Sequence, residues 1–304
     1  MKRALVTGCA GFIGSHLCRA LLADGWEVRG IDDFSVGVAG RVSSDVEMVI
    51  GDVCDAPLMR SLAAGCDVVY HLAVRNIMIS ADDVEDSWRV NTLGPGSVYH
   101  AALAQAHPPL VVFTSSVSVY GQADVIPTPE SAPYKAGNPY TAAKIAAELY
   151  GLSLLRLRDL PLVIVRPSNV YGPGHREGPV NRFLARYAAG QPAIIEGNGQ
   201  ATRDYTYVAD VVRGIRSTAS REYVGQIFNL GTGKEVSLLS LAGLCADAVG
   251  CTAAVTFVPQ RAYETVARRA MDATRARIAL GWKPLVSLED SLRQSTCISA
   301  ADVL

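Results

Sequence analysis

The residues best able to do chemistry are Tyr140 and Lys144, in the stretch Asn138-Pro139-Tyr140-Thr141-Ala142-Ala143-Lys144. Spaced by four, they share one face of a helix, and Asn138 with Pro139 supplies an N-cap and a first-turn proline. A tyrosine hydroxyl ionises near pH ~10, too high for a base at neutral pH unless cations sit beside it. An ammonium ~5 Å away at an effective dielectric of ~20 contributes roughly 3 kcal/mol, or about two pK units. Tuned in this way, Tyr140 could take a proton from an alcohol or a sugar hydroxyl. Upstream, Phe113-Thr114-Ser115-Ser116-Val117-Ser118-Val119-Tyr120-Gly121 ends an apolar run with a cluster of hydroxyls. A hydroxyl at such a strand end can hydrogen-bond the reacting oxygen. Each feature alone also fits a bland reading, as an unrelated Tyr and Lys on a surface helix or a polar strand terminus.

A second constellation opens the chain. Thr7-Gly8-Cys9-Ala10-Gly11-Phe12-Ile13-Gly14 follows the first apolar run and leads into a helix. Glycines there permit a tight turn and let the backbone approach a pyrophosphate, while the helix N-terminus favours negative charge. The spacing is G-x-x-G-x-x-G, one residue longer than the general dinucleotide fingerprint. Asp32 ends the second apolar run, where a carboxylate accepts hydrogen bonds from an adenosine ribose. Asp33 adds a second negative charge, and no arginine follows immediately to hold a 2′-phosphate. The expected cofactor is NAD rather than NADP.

The elements that must position these residues are visible as alternation. Short apolar runs occur at Ala4-Leu5-Val6, Val28-Arg29-Gly30-Ile31, Val46 to Ile50, Val68-Val69-Tyr70, Leu110 to Phe113 and Leu162 to Val165. Amphipathic segments such as Ile13 to Ala23 and Asn91 to Gln105 separate several of them. Buried β-branched strands joined by helices predict a parallel sheet covered on both faces, a doubly wound α/β architecture. After Pro167 the chain becomes rich in Gly and Pro, with helical stretches at Val180 to Ala189 and Leu238 to Val249 and one more strand at Phe228 to Gly231. This part is expected to be a smaller α+β region without an independent core.

Composition narrows the function classes. The chain has 304 residues, 49% hydrophobic and 19% charged, as in a core-rich globular protein. Lys and Arg number 28 against 29 Asp and Glu, a net charge of −1. That balance offers no footprint for nucleic acid and no polybasic patch for a membrane. No apolar run is long enough to span a bilayer, and the N-terminal apolar stretch is too short for a secretory signal. Seven cysteines without a CxxC pair predict reduced thiols in a cytoplasmic protein and no metal site.

Taken together, these residues resemble the extended short-chain dehydrogenase/reductase family, in its nucleotide-sugar epimerase/dehydratase branch. The likeness rests on the TGCAGFIG loop, Asp32, Gly51-Asp52-Val53, His71-Leu72-Ala73-Val74, the SSVSVYG stretch and Tyr140 with Lys144. It continues through Arg166-Pro167-Ser168-Asn169-Val170-Tyr171-Gly172-Pro173, Arg203-Asp204-Tyr205-Thr206-Tyr207-Val208 and Leu280-Gly281-Trp282. The resemblance implies a Rossmann-type sheet at 1–170, rejoined by segments near 204–230, and a mainly nucleotide-sugar-binding part at 171–304. It implies Ser116, Tyr140 and Lys144 as catalytic residues, with Tyr140 as the base and Lys144 also holding the nicotinamide ribose. The implied NAD contacts are Gly8, Gly11, Phe12, Ile13, Gly14, Asp32, Asp33, Ser35, Asp52, Val53, Leu72, Ala73, Val74, Asn91, Tyr140, Lys144 and Ser168. The implied substrate contacts are Ser116, Asn169, Arg176, Arg203 and Arg261, the arginines suiting a diphosphate through their two-pronged fork.

The same stretches separate reactions within the resemblance. Family 4,6-dehydratases carry an Asp-Glu pair after the catalytic hydroxyl, and family decarboxylases place a glutamate at the second of those positions. Val117 and Ser118 stand there, and neither exchanges protons near pH 7. What remains resembles the 4-epimerases, which act through a transient 4-keto sugar on a UDP- or dTDP-linked hexose or uronic acid. A one-way keto-sugar reductase, a decarboxylase or dehydratase, and a non-catalytic NAD sensor are the alternatives. Arg75, in the atypical segment Arg75 to Ser80, and Arg176 are candidates to meet a uronate carboxylate. Family members often dimerise through the Tyr-bearing helix and its neighbour, which predicts a homodimer through Asn91 to Gln105 and Tyr140 to Leu155.

Overall fold

The computed structural model describes residues 1–175, 177–261, 264 and 266–295. Its strands in chain order are β1 (Arg3–Thr7), β2 (Glu27–Asp32), β3 (Glu47–Ile50), β4 (Val68–His71), β5 (Leu110–Thr114), β6 (Leu162–Pro167), β7 (Asn169–Tyr171), β8 (Ala193–Glu196), β9 (Thr202–Arg203), β10 (Tyr205–Tyr207), β11 (Ile227–Leu230), β12 (Val236–Ser237) and β13 (Val255–Val258). The helices are α1 (Phe12–Ala23), α2 (Ala56–Ala63), α3 (Ile77–Asp82), α4 (Val84–Trp88), α5 (Gly94–Leu103), α6 (Pro139–Arg158), α7 (Pro179–Ala188), α8 (Val208–Ser217), α9 (Leu238–Val249), α10 (Thr274–Leu280) and α11 (Leu288–Ser295).

A seven-stranded sheet runs in the order β11-β6-β5-β4-β1-β2-β3. The pairings from β6 across to β3 are parallel, with Thr7 opposite Ile31 on one side and His71 on the other. The chain winds outward from β1 to β3, then returns to lay β4 on the other side of β1. This reversal creates a crevice at the C-terminal ends of β1 and β4, where doubly wound sheets bind ligands. The expected α/β architecture is present.

Two compact units divide the chain. The first comprises Met1–Val119, Tyr134–Arg166 and Val212–Phe228, and the second Tyr120–Pro133, Pro167–Val211 and the chain from Asn229 onward. In the first unit Leu5, Val69, Val111, Phe113 and Ile164 of the sheet pack with Met59 and Leu62 of α2, Val98 and Tyr99 of α5, and Ala147 and Leu154 of α6. The strands β4 and β5 are buried along their whole length, which is why their sequences are continuous apolar runs.

The second unit corrects one expectation. It has its own core, built from Tyr171, Val180, Phe183, Tyr187, Ile195, Tyr205, Leu241, Cys245 and Leu292. Its strands are only two to four residues long, too short for the alternation that marks a half-buried strand. The apolar positions are therefore dispersed, and only the tertiary fold gathers them.

The helix carrying Tyr140 begins as its sequence predicts. The Asn138 side chain accepts the Thr141 N–H at 2.9 Å, Pro139 occupies the first turn, and Arg156 and Arg158 fill the last. Asp159 closes α6 in a left-handed conformation. The expected segment Asn91 to Gln105 starts differently, as a π-helical turn over Arg89–Leu93 that runs into α5.

Candidate active site

The glycine loop closes against β4. Gly8 has φ of +69°, and a Cβ on it would lie 2.7 Å from the Ala73 nitrogen. Thr7 Oγ1 accepts the N–H groups of Leu72 and Ala73 at 3.1 and 3.2 Å and bonds His71 Nδ1 at 2.7 Å. The predicted segments 7–14 and 72–74 thus line one crevice. Helix α1 begins at Phe12, and its N-cap, Gly11, brings no side-chain bond. A helix start left bare of a capping side chain is suited to an anion.

Asp32 ends β2 beside this loop. Its Oδ2 accepts the Ala10 N–H and its Oδ1 the Phe34 N–H, both at 2.9 Å. Burial pushes its carboxyl up, against those two hydrogen bonds and the more distant Arg75 charge. The crevice, the uncapped helix start and a carboxylate at the strand end fit an NAD, with the diphosphate at Gly11 to Gly14 and the ribose at Asp32.

The remaining predicted contacts are more engaged. Asp52 receives Arg89 Nη1 at 2.5 Å and the Cys54 N–H at 2.8 Å, while Val53 beside it is buried. Asp33 takes the Ser35 hydroxyl and Arg75 Nη2. Burial alone would raise its pKa, but these hydrogen bonds hold it below the ordinary carboxylate range. Asn91 is buried and fully used by protein: Oδ1 accepts the Arg75 N–H, and Nδ2 donates to the Arg75 carbonyl and Ser87 Oγ.

Nothing local in the sequence marks Arg75 as part of this edge. Its Nε reaches Asp86 Oδ2 at 2.5 Å, Nη1 reaches Ser35 Oγ at 2.5 Å and Nη2 reaches Asp33 Oδ2 at 3.0 Å. All three guanidinium nitrogens are committed within the first unit. A sugar carboxylate at Arg75, as the sequence suggests, would have to compete with Asp33 and Asp86 for the fork.

On α6 the four-residue step from Tyr140 to Lys144 continues one position further than predicted. Tyr140, Lys144 and Glu148 follow at four-residue intervals; Tyr140 is half-buried, and Lys144 and Glu148 are buried. Lys144 Nζ donates to the Thr114 carbonyl at 3.0 Å and sits 4.8 Å from the Phe113 ring centroid. Burial lowers its pKa to about 7, with Glu148 pulling the other way. His71 stacks on Phe113 at 5.7 Å. Burial and the Lys144 charge bring its pKa down to about 3, so the imidazole is neutral.

Glu148 anchors a buried polar cluster. Arg166 donates Nε to its Oε1 at 3.0 Å and Nη2 to its Oε2 at 2.5 Å, Tyr134 donates to Oε2 at 2.8 Å, and Ser115 donates to Oε1. The Ser115 neighbour, Ser116, caps the turn Val117–Tyr120. Its Oγ accepts the Ser118 N–H at 3.1 Å and bonds Ser118 Oγ at 3.1 Å. Both strand-end serines are therefore held in place, and Val117 is buried with no proton to offer.

In the second unit Ser168 donates its hydroxyl to the Asp204 carbonyl. Asn169 Oδ1 is buried without a protein partner, a polar atom in want of a ligand. Arg203 pairs with Glu264 at 2.6 Å and Arg261 with Glu196 at 2.6 Å. Asp204, within the predicted Arg203-Asp204-Tyr205 motif, is structural: its carboxylate accepts from Thr232, Gly233 and Met271. Arg176 lies outside the described residues.

A Rossmann-type sheet with a glycine loop, a strand-end aspartate and a Ser-Tyr-Lys set defines a dinucleotide-dependent enzyme of the extended short-chain dehydrogenase/reductase type. The chain belongs to the NAD dependent epimerase/dehydratase family, whose model matches residues 4–231. It is 39% identical to a UDP-glucose 4-epimerase of Mycolicibacterium smegmatis, over 96% of this chain and 97% of that protein. The crystal structure of a Thermotoga maritima UDP-glucose 4-epimerase with UDP-glucose matches with a TM-score of 0.91 and 30% identity, over 97% of each chain. A Thermus thermophilus UDP-glucose 4-epimerase in complex with NAD matches with a TM-score of 0.89 and 29% identity, over 97% of this chain and 98% of that one. The cofactor of this enzyme is NAD. Among the described residues no helix is long and apolar enough to cross a membrane.

Proposed function

We propose that the enzyme interconverts C4 epimers of a UDP- or dTDP-linked sugar. The observation that carries this reading is the turn after Ser116, where Val117 and Ser118 stand and neither side chain is a carboxylic acid. Water elimination needs such an acid; moving one proton and one hydride away and back does not. The relatives described above bear the name UDP-glucose 4-epimerase, which supports the same reading.

NAD, when bound, accepts a hydride and returns it. The chain supplies the rest. Ser116 hydrogen-bonds the sugar oxygen, and Tyr140 takes the O4 proton and later gives it back, with Lys144 at its foot favouring the phenolate. Asn169, Arg203, Arg261 and Arg176 hold the nucleotide diphosphate, and Ser168 contributes to the cofactor site. The commitment of Arg75 to Asp33 and Asp86 favours a neutral hexose over a uronic acid. The enzyme acts in the cytoplasm as a homodimer through α5 and α6.

The test is to denature the purified protein, identify the released dinucleotide, and incubate native protein with UDP-, dTDP- and GDP-sugars without added NAD. Co-purified NAD, with one pair of C4 epimers reaching the same mixture from either side, is the expected result. Product formed only when reduced cofactor is supplied would instead establish a one-way reductase.

A further inference from the structure

We propose that Arg75 sets the dinucleotide preference of the ribose edge: tied to Asp33 and Asp86 it leaves that edge anionic, and released from Asp33 it becomes a fork for a 2′-phosphate. The proposal rests on the reading of the glycine loop and Asp32 as the NAD site.

Arg75 is built in rather than draped on the surface. Asn91 clamps its backbone from both sides, Oδ1 on the Arg75 N–H and Nδ2 on its carbonyl, each at 2.9 Å, and Ser80 Oγ donates to the same carbonyl at 3.2 Å. Its side chain is 11% exposed. The guanidinium is thereby fixed against Asp33, the residue directly after the ribose-side Asp32. A planar, permanently charged fork on a rigid base is the usual means of recognising a phosphate.

Charge explains why the fork does not take one in the native chain. Asp32, Asp33 and Asp86 surround Arg75, and Arg89 is shared between Asp86 and Asp52. A 2′-phosphate placed there would face the Asp33 carboxylate and find three of the five Arg75 N–H donors turned to its own chain. Removing the Asp33 carboxylate frees Nη2 and also the Ser35 hydroxyl, which donates to Asp33 Oδ1 at 2.5 Å. Asp86 still holds Nε, so the fork keeps its aim.

The experiment compares wild type, Asp33→Ala and Asp33→Ala/Arg75→Met. Each holoenzyme is equilibrated with equal concentrations of NAD and NADP, freed of unbound dinucleotide, denatured and analysed by chromatography, with thermal unfolding as the control for folding. The bound NADP:NAD ratio should rise by at least about tenfold in Asp33→Ala, the scale of one charge-assisted hydrogen bond, and fall back to the wild-type value in the double variant. Should that variant not fold, Asp33→Ala/Arg75→Gln gives the same reading, since glutamine keeps polarity without charge. An unchanged ratio in Asp33→Ala, or a raised ratio that survives loss of Arg75, overturns the proposal. A wild-type protein that takes up neither dinucleotide overturns the cofactor site itself, a separate and distinguishable failure.

Discussion

Lys144 donates its ammonium to the carbonyl oxygen of Thr114 at 3.0 Å, from a position that water barely reaches. Burial brings its pKa from 10.5 to about 7. In the dinucleotide-free protein the folded chain then releases this proton as pH rises through 7, while the unfolded lysine keeps it until pH 10.5. Unfolding takes up a proton across that window, so stability contributed by this group rises with pH there and is flat below it. Wild type should therefore gain on Lys144→Met by roughly a kcal/mol per pH unit between pH 7.5 and 9.5. Urea unfolding at several pH values measures this; parallel curves for the two proteins would contradict it.

Tyr140→Phe keeps the ring and removes the hydroxyl. The variant should retain its bound NAD and lose about 10²- to 10⁴-fold in turnover, the usual contribution of a positioned acid–base group. The check is NAD content beside initial rates of epimer conversion. Full NAD with nearly full activity would remove Tyr140 from the chemistry.

The Glu148–Arg166 pair is almost wholly inaccessible, at 0% and 2% side-chain exposure. Removing one partner strands a buried charge, so Arg166→Met should cost about 3–5 kcal/mol in unfolding free energy. Replacing both, as Glu148→Leu/Arg166→Met, should recover part of that loss. A single variant as stable as wild type would mean that water, with Tyr134 and Ser115 already in place, satisfies the carboxylate.

How much of this was legible beforehand follows from sequence distance. The Gly8 to Gly14 loop and Asp32 could be read because a strand, a turn and a helix start are contiguous there. Asn138 as the cap of α6 was equally local. Glu148 was within reach, since it repeats the four-residue step from Tyr140 to Lys144; its partners Ser115, Tyr134 and Arg166 come from three other segments and carry no shared pattern. Arg75 lies 42 residues from Asp33, so a search for an arginine next to the ribose aspartates finds none. The crossing from β3 to β4, rather than any motif, brings the two together.

A methyl group on Gly14 would overlap the Gly8 carbonyl oxygen, and the atoms it meets are Gly8 and Cys9 backbone that cannot swing aside. Gly14→Ala should therefore reshape the loop and lose bound NAD while the sheet core, several residues away in β1, β4 and β5, still folds. The measurement is dinucleotide released per chain together with the thermal unfolding midpoint. NAD retained at one per chain would show that the loop tolerates the change.

The proposed homodimer makes its own prediction on the outer faces of α5 and α6. These helices lie side by side, with His100 Nε2 bonded to Tyr150 OH at 2.6 Å, yet Leu149 is 51% and Tyr150 42% exposed, and Leu93 just before α5 is 55% exposed. Large apolar groups grouped in this way on helix faces mark an interaction surface more often than chance scatter does. A stable interface buries on the order of 800 Å² per partner, which two adjoining helices can supply. Leu149→Glu places a charge at the middle of the proposed contact without touching Lys144 or Glu148, which face inward from the same helix. Light scattering should give twice the chain mass for wild type and a shift toward the single-chain mass for the variant, with NAD content unchanged. A wild-type protein of single-chain mass at micromolar concentration would remove α5 and α6 as a dimer face.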